Sequence, residues 1–160
     1  MDVMRAANEW SAAGKDVLHM EVGQPSTPAP SKVLETAKSA LDNETLGYTD
    51  ALGNSHLRKK IADHYLNKYG LELDSGRVVI TTGSSCGLLL AFLSAFDVGD
   101  RVGIVSPGYP AYQNILQALG IKVLDIAVDS HSHFQPTPEI LDRYSENIDG
   151  LIISSPSNPT

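Results

Sequence analysis

The chain has 160 residues, enough for one domain with a core, with 42% apolar and 19% charged residues and a formal net charge of −7. That balance argues against nucleic acid as a partner, because phosphate backbones call for clustered Lys and Arg and the one basic cluster is Arg58-Lys59-Lys60, expected as the solvated face of a helix. No apolar run approaches the ~20 residues of a membrane span, "MDVMRAANEW" has no signal core, and the lone Cys86 excludes an internal disulfide, so the expected location is cytoplasmic.

The first half reads as helices and loops. "MDVMRAANEWSAAG" is expected as a short helix stopped by Gly14, and "VLHMEVG" as a short extended piece. "QPSTPAP" is irregular, because its prolines remove donors and fix φ. From Ser31, a candidate cap, "SKVLETAKSAL" places Val33, Leu34, Ala37 and Leu41 on one stripe. After the turn-rich "GYTDALG", "NSHLRKKIADHYLNKYG" puts Leu57, Ile61 and Tyr65 at helical spacing and stops at Gly70.

The second half changes rhythm. Four β-rich runs, 77–82, 101–106, 122–128 and 150–154, alternate with helical candidates over 85–96, 111–120 and 137–147, the last with Pro138 in its first turn. This alternation predicts an α/β fold: a mostly parallel sheet with helices on both faces, preceded by an N-terminal helical and extended segment. In such sheets ligands sit at the carboxyl ends of the strands.

Three of those ends carry unusual chemistry. In "TTGSSCG" a strand meets Gly83, then Ser84 and Ser85, then a helix; the free N–H groups of the helix start and two hydroxyls make a phosphate cradle. It is neither a Walker loop nor Gly-x-Gly-x-x-Gly. The plain alternative is a connecting glycine with Ser84 as cap. In "SPGYPAY" Tyr109 is stiffly held and suited to stack on a planar ring, the alternative being that both tyrosines pack beneath the next helix; Tyr112 is read as packing. In "SSPSNPT" the amide of Asn158 suits a phenolate-like oxygen, the alternative being an ordinary Asn-Pro turn. "VDSHSH", at the fourth end, reads as plain polar loop. Taken together, the three ends describe a planar, phosphorylated, hydroxyl-bearing cofactor, and pyridoxal 5'-phosphate fits all three.

At these residues the chain resembles the class I/II aminotransferases, the fold-type I group dependent on pyridoxal phosphate. "VGQPSTPAP", "YTDALGNSHLR", "ITTGSSCGL", "SPGYPAY" and "SPSNPT" resemble five of its blocks, in order, from about Val22 to Thr160. The resemblance implies cofactor binding by Gly83, Ser84 and Ser85 at the phosphate, by Tyr109 on the pyridine ring and by Asn158 at the 3' oxygen. It implies that Tyr48 reaches the phosphate of the neighbouring subunit in a homodimer, and that Gly23 and Asn158 lie on the substrate side. Cys86 stands where relatives carry Gln or another polar residue and has no implied role.

The family's Schiff-base lysine, its aspartate for the pyridine nitrogen and its arginine for the substrate carboxylate follow the asparagine block. None has a counterpart here, so no catalytic residue is assigned, and the chain reads as the N-terminal portion of a longer enzyme, inactive alone. Residues 1–45 are expected to form an arm and part of a small domain, and 46–160 the first part of the cofactor-binding large domain. The implied function is transfer of an amino group from an amino acid to a 2-oxo acid. A lyase or decarboxylase of the same fold and a non-catalytic ligand-binding module are the alternatives, and no metal is implied.

Overall fold

The structure, a computed structural model, describes residues 2–144 and 148–160. The chain forms two compact units, Met1–Tyr48 and Thr49–Thr160.

The first unit holds α1 (Asp2–Ala12) and α2 (Ser31–Asn43). Gly14, at φ 76°, turns the chain out of α1. Ser31 is the first helical residue of α2 and not its cap; Pro30 holds the cap position, and no side chain caps the helix. In the segment between, His19 Nε2 bonds the Ser11 hydroxyl at 3.1 Å and Nδ1 meets Glu21 Oε1 at 2.8 Å. The bond from His19 is the main reason the Glu21 carboxyl sits below the usual glutamate range. A carboxyl lowered on folding stabilises above its unfolded pKa and loses that contribution as pH falls through the folded value. A carbon-detected NMR titration is therefore expected to place the Glu21 midpoint below those of the other glutamates that carry no such bond; coincident midpoints would contradict it.

The second unit opens with α3 (Ser55–Tyr69). Asn54 caps it by accepting from the N–H groups of His56 and Leu57, and Gly70, in the left-handed region, ends it. Arg58 departs from the expected solvated face: it is half-buried, and its guanidinium donates to the carbonyls of Gly53 and Ser75, both at 3.2 Å. The run 77–82 is not a strand. Its start lies in a 3-10 turn, Ser75–Arg77, and the Ile80 N–H donates to the Leu52 carbonyl at 3.0 Å. Apolar, β-branched content makes a strand only where a neighbour supplies a ladder, and among the described residues this run has none.

The sheet is built from β1 (Arg101–Ser106), β2 (Lys122–Ala127) and β3 (Gly150–Ile152), all parallel, in the order β2-β1-β3. Between them lie α5 (Pro110–Ala118) and the short α6 (Pro138–Leu141), with α4 (Ser84–Ala95) before β1. Thr137 caps α6, and Pro138 occupies its first turn as expected; the helix ends at Leu141, short of the expected 147, with turns over 142–144, and residues 145–147 lie outside the described residues. Strand β1 is central and has apolar neighbours on both sides, which is why Val102, Gly103 and Ile104 are buried in succession. The core joins these layers: Phe92 of α4, Val102 and Ile104 of β1, Leu116 of α5, and Ile121.

This topology places the site. The chain leaves β1 for β2 on one side and later returns as β3 on the other. The carboxyl ends of β1 and β3 therefore flank the switch point, where a crevice opens in an α/β sheet.

Candidate functional site

Three segments meet at that crevice. The first is the start of α4. Gly83, its N-cap, adopts φ 86° and ψ 166°, a combination that only glycine takes without strain. The Thr81 hydroxyl donates to the Gly83 carbonyl at 2.9 Å and fixes that peptide. No side chain caps α4, so the N–H groups of its first turn have no intrahelical acceptor and face outward at the positive end of the helix dipole. Ser84 is thus not a cap; it is the first helical residue, and its exposed hydroxyl adds a donor.

A Cβ at position 83 would meet nothing within 4 Å, so Gly83→Ala isolates backbone strain. It is expected to cost about 1–3 kcal/mol or to swing the helix start away from the crevice. Thermal unfolding with a phosphate titration checks this; unchanged stability with unchanged phosphate affinity would contradict it.

The second segment follows β1. Gly108 makes the turn because a Cβ there would overlap the Val105 carbonyl oxygen. Tyr109 is the N-cap of α5, and Pro110 begins the helix with φ preset. The Tyr109 ring is half-buried and held edge to face by Tyr112, with centroids 5.5 Å apart and planes at 86°. The third segment follows β3 and carries Ser154, whose hydroxyl donates to the Pro156 carbonyl at 3.1 Å, and the exposed Asn158.

Ser84, Tyr109 and Asn158 line one open hollow of about 520 Å³, together with Gly87, Leu88, Tyr112 and Ser154. Gly83 and Ser85 are not among its lining residues; Gly83 shapes the turn beneath it, and Ser85 belongs to the exposed first turn of α4. Tyr112, expected only as packing, faces the hollow as well as the core. Gly23 and Tyr48 belong to the first unit, where both are exposed, Tyr48 completely. All seven lysines are exposed, and none lines the hollow.

A second, tight cleft of about 20 Å³ lies behind the Tyr109–Asn158 wall and adds Phe134, Gln135 and Pro136. These residues follow "VDSHSH", the stretch expected as plain polar loop. Asp129 accepts from the N–H groups of His131 and Ser132, and Ser132 reciprocates, a capping box readable as an acidic residue three positions before a serine. His133 and Phe134 then both take positive φ, 51° and 56°, and turn the chain back to the crevice.

The donor set suits a phosphorylated aromatic ring. It offers main-chain N–H groups and a hydroxyl for an anion at a helix start, an aromatic face for a ring and an amide for a ring oxygen. No lining residue is acidic, so nothing in the hollow repels a dianion.

Comparison with known proteins identifies the family. Residues 15–160 match the family described as aminotransferase class I and II. The chain is 46% identical over 160 residues to a valine–pyruvate aminotransferase of Mycobacterium tuberculosis, covering 100% of this chain and 41% of that protein. It is 35% identical over 161 residues to a (5-formylfuran-3-yl)methyl phosphate transaminase of Methanocaldococcus jannaschii, covering 99% and 41%. Among solved structures, an aminotransferase from Mycobacterium tuberculosis superposes with a TM-score of 0.91 at 46% identity, over 100% of this chain and 41% of that one. Aspartate aminotransferase from Thermus thermophilus, solved with maleate, gives 0.91 at 28% identity, over 99% and 42%. The chain thus spans about 41% of the length of the curated relatives it matches, and by the match over residues 15–160 it belongs to the class I and II aminotransferase family.

Proposed function

We propose that this chain supplies the phosphate- and ring-holding part of a pyridoxal-phosphate-dependent aminotransferase, which moves an amino group from an amino acid to a 2-oxo acid. The observation that carries the reading is the single hollow shared by Ser84, Tyr109 and Asn158. The relatives support the reaction class: their names differ in what they act on and agree on amino-group transfer. The proposal therefore extends to the class and not to one donor.

Bound pyridoxal phosphate supplies an electron sink for the carbanion at the substrate Cα. The chain's own residues bind and orient. The first-turn N–H groups of α4 and the Ser84 hydroxyl hold the phosphate dianion. Tyr109, which lines the same hollow as Ser84, would offer its aromatic face to the cofactor ring and orient it. Asn158 would donate from its amide to the ring oxygen and so help to orient the ring. Gly23, with no side chain, leaves room for the substrate carboxylate. Tyr48 goes to the cofactor phosphate of the neighbouring subunit in a cytoplasmic homodimer; its complete exposure, 109%, leaves the hydroxyl available. No lysine lines the hollow, so none of this chain's lysines is assigned to hold the cofactor's aldehyde or to move the Cα proton.

The probe suited to this chain is pyridoxamine 5'-phosphate, whose amine, unlike an aldehyde, does not react with exposed lysines. Calorimetric titration of the protein is expected to give saturable binding at one site, weakened by Tyr109→Ala and by Asn158→Ala. Lack of saturable binding by folded protein, or binding indifferent to both substitutions, would contradict the reading.

A further inference from the structure

We propose that Tyr112 is a positioning residue for the ring-stacking face of Tyr109; the inference rests on the cofactor-binding reading above and deepens it. Tyr109 stands at the junction of β1 and α5, on a turn of Pro107, Gly108 and Pro110. That turn fixes its backbone. Its χ angles are a separate matter, and a stacking face that rotates freely loses much of its value, because ordering it on binding costs entropy.

One contact adds to the fixed backbone and a second, between side chains, holds the ring. The Tyr112 N–H donates to the Tyr109 carbonyl at 3.2 Å. Its ring meets the Tyr109 ring edge to face, at 5.5 Å and 86°, inside the distance range in which such pairs attract. Tyr112 is itself half-buried and packed against the buried cluster of Phe92, Val102, Ile104, Leu116 and Ile121. It therefore joins the rigid core to an aromatic face on the hollow, and it borders that hollow directly. The hydroxyl is not needed for this; the ring is.

The test is a double-substitution cycle read by the affinity of the protein for pyridoxamine 5'-phosphate and, separately, for inorganic phosphate. Tyr112→Leu is expected to weaken the first by about 3- to 10-fold, the worth of one well-placed aromatic pair, and to leave the second unchanged. Tyr112→Phe is expected to restore affinity to within about 2-fold, since the ring contact survives. Combined with Tyr109→Ala, Tyr112→Leu is expected to add little, because the face it positions is already gone. Independent losses that add, equal weakening for inorganic phosphate, or failure of phenylalanine to rescue would each overturn the proposal.

If Tyr112→Leu does not fold, the unsubstituted protein still decides. Cross-relaxation between the labelled rings of Tyr109 and Tyr112 without ligand is expected, and its absence would overturn the proposal. A failure of the unsubstituted protein to bind pyridoxamine 5'-phosphate while that ring contact is present would instead overturn the cofactor reading beneath it.

Discussion

Pyridoxamine, which lacks the phosphate, is expected to bind at least about a hundredfold more weakly than pyridoxamine 5'-phosphate. The start of α4 is uncapped, so its first-turn N–H groups exchange water for the phosphate oxygens without breaking a bond within the protein. Hydrogen bonds to a charged group contribute about 1.5–3 kcal/mol each, and two of them already reach the hundredfold. The positive end of the helix adds to this, and the whole term is expected to shrink as salt is raised. Competitive titration of the two ligands at low and moderate salt reads both effects. Equal affinities, or a preference that ignores salt, would show that the helix start does not hold the anion.

Leu116→Ala is expected to destabilise the second unit by about 2–5 kcal/mol, the range for leucine truncation in a packed core. Leu116 is fully buried, as are Val102 and Ile126, so the cavity left behind has walls from α5 and the sheet. Its effect reaches the site through geometry: Leu116 lies one turn after Tyr112 on α5, and α5 carries the residue that braces Tyr109. Denaturant unfolding is expected to show the lowered midpoint, with ligand affinity falling in protein that remains folded. A loss below about 1 kcal/mol would mean that α5 is not anchored as the burial of Leu116 indicates.

The parts of this account legible in the sequence share a local cause. Gly70 and Gly14 end helices because each takes a positive φ, a property of the residue itself. Strands 101–106 and 122–128, the second ending one residue early at Ala127, are legible because each is largely apolar and bounded by turn residues. The run 77–82 has the same composition and is not a strand, since composition does not report whether a neighbour is present. Arg58 reads as surface charge, and only the folded arrangement of the Gly53 and Ser75 carbonyls draws it inward.

The site divides in the same way. Gly83, Ser84, Tyr109 and Asn158 sit among turn residues, Gly and Pro above all, at a helix start or after an apolar run, signals that one segment can carry. The approach of Phe134 and Gln135 depends on two successive left-handed residues, His133 and Phe134, which no residue type there announces. The double role of Tyr112 depends on the distance between two rings, which helical spacing alone does not fix.

A crystal structure of the protein soaked with pyridoxamine 5'-phosphate tests the convergence most directly. The phosphate is expected at the first turn of α4 beside Ser84, the ring against Tyr109, and the ring oxygen within hydrogen-bond reach of the Asn158 amide. Ligand density elsewhere on the surface, with the hollow between α4, Tyr109 and Asn158 containing only water, would contradict it.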